Sequence, residues 1–174
     1  MKIFLALGKM ASSRWAWLTL MLSAVALIIT ALYFQYILEL KPCIMCIYQR
    51  TAVFGLLFAG LLPVLKNNLI TRFIGFVVWG VSAIWGMFIA IEHVELQNAS
   101  NPFFVSCEIV PNFPSFLPLH NWLPNMFAAT GDCGNIDWEF MSMSMPQWMI
   151  VVFAIYSGVF AIVLFSRLFT HRRF

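Results

Sequence analysis

Long apolar runs without charge alternate along this chain with segments that carry the charged residues. Residues 15–38, 73–91 and 141–166 contain no Asp, Glu, Lys or Arg. A helix needs about 20 apolar residues to cross the hydrocarbon core of a bilayer. Each run therefore predicts a transmembrane helix, and the last is expected to begin near Pro146, because proline suits the first helical turn.

A fourth uncharged run, residues 51–65, is too short to cross a membrane by itself. Its fifteen residues would rise only about 22 Å as a helix, against a hydrocarbon core of about 30 Å. We expect the helix to start earlier, near Cys46, which draws Arg50 to the edge of the hydrocarbon. The predicted spans are about 15–36, 46–65, 71–91 and 146–166.

Composition agrees with a membrane protein and excludes other classes. Of the 174 residues, 62% are hydrophobic and 10% are charged, whereas soluble domains carry about 25% charged residues. Disordered chains are poor in aromatic residues, but 17% of this chain is aromatic. A net charge of +3 is too small for a nucleic-acid-binding surface. Residues 1–174 are therefore predicted to form one integral membrane domain, an all-α bundle of four transmembrane helices.

The sorting of charges predicts the orientation of this bundle. Eight of the ten basic residues fall at one end: Lys2, Lys9, Arg14, Lys66, Arg72, Arg167, Arg172 and Arg173. All seven acidic residues fall at the other: Glu39, Glu92, Glu95, Glu108, Asp132, Asp137 and Glu139. Cytoplasmic segments are enriched in Lys and Arg, so both termini are expected in the cytoplasm and loops of about 37–45 and 92–145 on the outer side. The first span is too long for a cleaved signal peptide.

All four cysteines fall in the two predicted outer loops, at Cys43, Cys46, Cys107 and Cys133. An even number on the oxidising side of a membrane implies disulfides, and two structural bridges are the simplest interpretation. For Cys43 and Cys46 that interpretation is weak, because a bridge that closes so short a ring restrains little chain entropy. A CxxC pair is more typical of a redox or metal unit.

The surroundings of the CxxC favour redox chemistry over a metal. No second CxxC or closely spaced pair of histidines provides the usual zinc ligands, so we predict no metal site. Pro42 fits the first position of a helix, which would place both cysteines where the helix dipole stabilises a thiolate. Arg50 follows Cys46 by four residues and shares its helical face. A snorkelling interfacial arginine is the alternative, but the shared face favours a cation that supports the Cys46 thiolate and a reducible group in the bilayer. Because the sequence has no flavin or nicotinamide motif, a lipid-soluble quinone is the natural two-electron acceptor.

The chain resembles the disulfide bond formation protein B family of Gram-negative bacteria. The shared features are four spans, an outer CxxC followed by an arginine, and a second outer cysteine pair. The resemblance extends from about Trp15 to the end of the fourth span. The motifs that carry it are Lys41-Pro-Cys-Ile-Met-Cys-Ile-Tyr-Gln-Arg50, Glu92-His93, Phe103-Phe-Val-Ser-Cys107, Gly131-Asp-Cys133 and Met145-Pro-Gln-Trp148.

The resemblance implies a multi-pass protein of the bacterial inner membrane with active loops in the periplasm. Such a protein reoxidises a soluble dithiol oxidase of the DsbA type and passes two electrons to ubiquinone or menaquinone. By the family pattern, the partner thiolate attacks a Cys107–Cys133 disulfide, and Cys133 then engages the Cys43–Cys46 pair. Cys46 and Arg50 face the quinone. Three further positions match residues near the quinone head: Gln35, His93 and Gln97.

A different class of function stays open from the residues alone. The chain could be a four-span scaffold, or a small subunit of a quinone protein, in which the disulfides are purely structural. The CxxC with Arg50 on the same helical face argues against a scaffold, because a scaffold requires neither.

Overall fold

The computed structural model describes residues 13–98, 111–114 and 118–170, and four long helices dominate this part of the chain. They are α1 (Arg14–Tyr36), α2 (Ile44–Leu65), α3 (Leu69–Gln97) and α6 (Met145–Thr170). Each is long and apolar enough to cross a membrane, which confirms the prediction of an all-α membrane protein with four spans. The segment between α3 and α6 contains two short helices, α4 (Leu119–Trp122) and α5 (Pro124–Phe127), and an antiparallel hairpin of β1 (Glu139–Phe140) and β2 (Met143–Ser144).

Helix α2 begins one residue after the first cysteine. Cys43 is its N-cap, and the Cys43 carbonyl accepts the Ile47 N–H at 3.1 Å. The expectation that Pro42 occupies the first helical turn was therefore wrong. The Pro42 carbonyl instead accepts the N–H groups of Thr130 and Gly131, at 2.9 and 3.0 Å, so the proline ties α2 to the loop that precedes α6.

Helix α3 continues beyond its apolar run, whereas we expected the loop to begin at residue 92. No glycine or proline interrupts residues 87–97, and Glu92 and Glu95 extend the helix with exposed side chains. At about 1.5 Å per residue its 29 residues span about 43 Å, more than the hydrocarbon core. The last turns of α3 therefore extend beyond the hydrocarbon core, at the end of the bundle where the cysteines lie.

Helix α2 lies at the centre of the bundle and packs against α1 and α3, while α3 also packs against α6. Gly60 lets α1 and α2 approach closely, because a Cβ there would lie 2.9 Å from the Trp17 carbonyl oxygen. Helices α1 and α6 are joined by a hydrogen bond from Tyr156 Oη to Ser23 Oγ at 2.8 Å. A cleft of about 620 Å³ lies between these two helices, so the bundle is open on this side.

Candidate active site

A cavity of about 170 Å³ lies where the start of α2 meets the ends of α1 and α3. Six residues selected from the sequence line it: Gln35, Cys43, Cys46, Arg50, His93 and Gln97. They come from three helices, and only the cysteines and Arg50 are neighbours in sequence. The structure thus brings the CxxC pair and every proposed quinone contact to one place.

The start of α2 fixes the geometry of the cysteine pair. The two sulfur atoms of Cys43 and Cys46 lie 3.0 Å apart. Cys43 Sγ also accepts the backbone N–H of Cys46 at 3.4 Å, so this sulfur caps the helix. Cys43 is buried and Cys46 is half-buried. Because unpaired N–H groups and the helix dipole favour negative charge at this point, the first turn of α2 suits a thiolate.

A third cysteine, Cys133, packs against this pair from the loop that precedes α6. Its side chain is completely buried and forms a hydrogen bond with Cys43. That bond, followed by the one to Cys46 and by burial, raises the pKa of the Cys43 thiol. Cys43 therefore remains protonated at neutral pH while it is reduced and packed in this way. The arrangement places Cys133 in direct reach of Cys43 for thiol–disulfide exchange.

Gly131 allows this loop to approach α2, and its replacement gives a test of the contact. A Cβ at Gly131 would clash with the Lys41 carbonyl oxygen, whereas at Gly134 the nearest atom lies 3.7 Å away. We expect Gly131→Ala to weaken docking of the loop by about 1–3 kcal/mol, the usual cost of overpacking. Thermal unfolding and maleimide labelling of Cys133 measure this, and Gly134→Ala is the matched control. Equal labelling rates in the two variants would contradict the assigned contact.

Arg50 is buried at the edge of the cavity, with only 7% of its surface exposed. Its Nη1 donates to Gln35 Oε1 at 2.8 Å and to the Met126 carbonyl oxygen at 2.7 Å. Its Nε is buried and has no hydrogen-bond partner among the described residues. The guanidinium also interacts electrostatically with Cys46. A snorkelling arginine would extend to water, so this burial favours a role inside the site.

His93 adds an imidazole to the cysteine pair. Its Nε2 lies 3.5 Å from Cys43 Sγ, and its Nδ1 lies 3.2 Å from Gln49 Nε2. When the Gln49 amide donates to Nδ1, the neutral ring carries its proton on Nε2 and donates toward Cys43. Gln49 was not predicted from the sequence as a residue of the site. Its signal was available, because a glutamine one residue before Arg50 is an unusual polar group in an apolar span.

The sequence spacing also gave no sign that His93 lies beside the cysteines. The ligand atoms of Cys43, Cys46 and His93 all lie within 4.8 Å of one another, a set that could hold a metal ion. Cys43 and His93 are 50 residues apart in the sequence, and the packing of α2 on α3 brings them together. The expectation of no metal site stays a prediction. The hydrogen bond between Cys43 and Cys133 fits a relay of thiol–disulfide exchange as well as the cluster fits a metal ion.

Gln97 connects the end of α3 to the segment before α6. Its Oε1 accepts a hydrogen bond from Ser144 Oγ at 2.9 Å, and its Nε2 donates to the Asn135 carbonyl oxygen at 3.5 Å. Gln97 therefore positions the wall of the cavity in addition to lining it. Ser144 is a second residue missed from the sequence, which shows no pattern that would pair it with Gln97.

The fourth cysteine lies outside the described residues. Cys107, with the Phe103-Phe-Val-Ser segment before it, falls in residues 99–110. Its pairing with Cys133 and its reaction with a partner protein stay predictions.

Comparison with known proteins shows the family to which the chain belongs. The family model "Disulfide bond formation protein DsbB" matches residues 13–163. A disulfide bond formation protein B from Pseudoalteromonas atlantica is 62% identical over 95% of this chain and 97% of its own length. Relatives of the same name from Pseudoalteromonas translucida and Sodalis glossinidius are 50% and 41% identical over 95% and 97% of this chain, and over 97% and 95% of their own lengths. The resemblance is confirmed: the chain belongs to the disulfide bond formation protein B family, as a multi-pass membrane protein with an oxidoreductase role in thiol oxidation.

Proposed function

We propose that this protein is a thiol:quinone oxidoreductase of the bacterial inner membrane that reoxidises a periplasmic dithiol oxidase of the DsbA type. One observation carries the proposal. Among the described residues, a cysteine pair at a helix start and a buried arginine with an unpartnered donor line one cavity, and a third cysteine packs against the pair. A scaffold with purely structural disulfides has no use for that donor.

Oxidation of the partner begins with two disulfides, Cys107–Cys133 and Cys43–Cys46. A partner thiolate attacks Cys107, forms a mixed disulfide with it and releases Cys133 as a thiolate. Cys133 then attacks Cys43, which forms a Cys43–Cys133 disulfide and releases the Cys46 thiolate. The contact between Cys133 and Cys43 supports this order, because the attacking and attacked sulfurs are already neighbours.

The second partner thiolate completes the exchange. It attacks the partner sulfur that is bonded to Cys107, which forms the disulfide of the oxidised partner and releases a Cys107 thiolate. Cys107 then attacks Cys133, restores the Cys107–Cys133 disulfide and releases Cys43. The result is one new disulfide in the partner and one reduced Cys43–Cys46 pair, so that two electrons and two protons have moved to the cavity.

The residues of the cavity fit a quinone. A quinone has an apolar ring with two carbonyl acceptors, and when bound it takes up two electrons and two protons. Arg50 Nε is a donor without a partner among the described residues, while His93 and Gln97 supply further polar groups in a mostly apolar lining. The cavity also shares Leu27 and Thr30 with the cleft between α1 and α6, which gives an apolar tail a route to the bilayer.

Energetics supports an acceptor of this kind. A DsbA-type oxidase has a reduction potential of about −120 mV, whereas ordinary structural disulfides lie below about −300 mV. Because 30 mV corresponds to about 1.4 kcal/mol for two electrons, reoxidation by such disulfides would be uphill by roughly 8 kcal/mol. The reaction therefore needs cysteines that are unusually oxidising or a strong acceptor beyond them.

A coupled assay tests the proposal. Purified protein is mixed with a reduced DsbA-type oxidase and a short-chain ubiquinone, and quinone absorbance and partner thiols are followed together. We expect one quinone reduced for each partner disulfide formed. Cys107→Ser should abolish partner oxidation while the protein still retains quinone. Unchanged quinone absorbance with the native protein would contradict the proposal and favour the scaffold.

A further inference from the structure

Two arginines converge at the end of the bundle opposite the cysteines. Arg72 lies near the start of α3 and Arg167 near the end of α6, and both are half-buried around a small cleft with Trp17 at its base. Their guanidinium groups are close enough to repel each other electrostatically. Like charges held together disfavour each other, and a bound anion relieves this repulsion.

The hydrogen bonds of the two side chains leave donors available. Arg72 Nε donates to Asn67 Oδ1 at 2.6 Å, which fixes the direction of its guanidinium. Arg167 Nε is buried and has no hydrogen-bond partner among the described residues. Because Nε has no exposed surface, the donors of Arg167 that an external anion can reach are its terminal Nη groups.

Among the described residues, no carboxylate side chain lies at this end of the bundle. Residues 40–91 and 140–174, which contain α2, most of α3 and all of α6, include no aspartate or glutamate. Residues 1–38, which contain α1, also include none. The headgroup region of the bilayer, which surrounds the ends of the transmembrane helices, can supply an anion to this pair.

We infer that Arg72 and Arg167 together bind the phosphate of an anionic phospholipid. Guanidinium groups bind phosphate oxygens in pairs, and basic pockets between transmembrane helices suit acidic headgroups. The cleft holds only about 20 Å³, so the phosphate lies at its mouth, between the two guanidinium groups. Leu69 and Phe73 on the rim are 57% and 53% exposed and offer apolar surface to the acyl chains.

Native mass spectrometry of the delipidated full chain with added phosphatidylglycerol tests this site. We expect Arg72→Gln/Arg167→Gln to weaken binding at least about tenfold, or about 1.4 kcal/mol. Arg14→Gln/Lys66→Gln removes the same charge from two exposed residues at the same end and should bind like the native protein. Equal weakening in both double variants would show a general charge effect and would overturn the site.

Two further arms identify the anion and protect against a folding defect. Inorganic phosphate at matched ionic strength should not displace phosphatidylglycerol, and phosphatidylcholine should bind weakly; displacement by free phosphate would overturn the lipid assignment. Circular dichroism checks that each variant folds. If the glutamine variant does not, Arg72→Lys/Arg167→Lys replaces it, because lysine keeps the charge but lacks the paired donors. Unchanged binding by that variant would also overturn the proposal.

Discussion

Replacing Cys46 by serine is expected to reduce quinone-coupled thiol oxidation by at least about 10³-fold, because a hydroxyl cannot take the place of the reacting thiolate. The fold should survive the change. Serine keeps the backbone N–H that Cys43 Sγ accepts, so the cap of α2 remains. The thermal transition of the variant in detergent is therefore expected to stay close to that of the native protein.

Rates with a DsbA-type oxidase and a short-chain ubiquinone, measured by stopped flow, check this prediction. Met45→Leu is the matched control, since it replaces the sulfur-containing side chain between the two cysteines and should keep the rate within about twofold, as volume-conserving swaps usually do. A Cys46→Ser rate above about one tenth of the native rate would exclude Cys46 as the residue that delivers electrons.

Replacing Arg50 by glutamine is expected to lower kcat/KM for quinone by about 10²-fold, the usual cost of one lost donor in a low-dielectric site. The variant loses both the charge beside Cys46 and the guanidinium donors of a side chain that lines the cavity. Binding of the partner oxidase should change by less than about threefold, because it depends on other parts of the protein. Steady-state kinetics with each substrate varied in turn separates the two effects.

Two companion variants sharpen this test. Arg50→Gln leaves Gln35 Oε1 and the Met126 carbonyl oxygen without their donor, and unpaired acceptors cost about 1–3 kcal/mol each. Arg50→Lys keeps the charge but cannot reach both acceptors with a guanidinium, so it should recover part of the quinone activity. Lys41→Gln removes the other basic residue at the cavity, which is exposed, and should have a smaller effect. Equal loss of quinone use and partner binding in Arg50→Gln would contradict its assigned role.

The spans could be predicted because the membrane imposes a simple requirement on the sequence. Uncharged runs of sufficient length identify three of the four helices, and the shortage of residues in 51–65 indicated an earlier start for α2, which begins at Ile44. The helix ends were harder. Local hydrogen bonds decide them, as at the Cys43 cap, and polar residues such as Glu92 can extend a helix outside the hydrocarbon.

The site could be predicted only where its residues are close in sequence. The four-residue spacing of Cys46 and Arg50 places them on one face of α2 from helix geometry alone. The positions of His93 and Gln35 at the same cavity came from the family resemblance, because no periodicity reports how α1 and α3 pack on α2. Cys133 and Cys43 are in contact although they lie 90 positions apart in the sequence. Hydrogen bonds to the Pro42 carbonyl hold the loop of Cys133 against the start of α2. The sequence holds no local signal for this contact.

A single-turnover experiment without the partner protein tests directly whether the Cys43–Cys46 pair delivers electrons to a quinone. The protein is fully reduced, freed of reductant and mixed anaerobically with a short-chain ubiquinone, and the remaining thiols are alkylated and located by mass spectrometry. We expect one quinone to be lost for each Cys43–Cys46 disulfide that forms. Free thiols at both positions together with unchanged quinone absorbance would contradict this expectation.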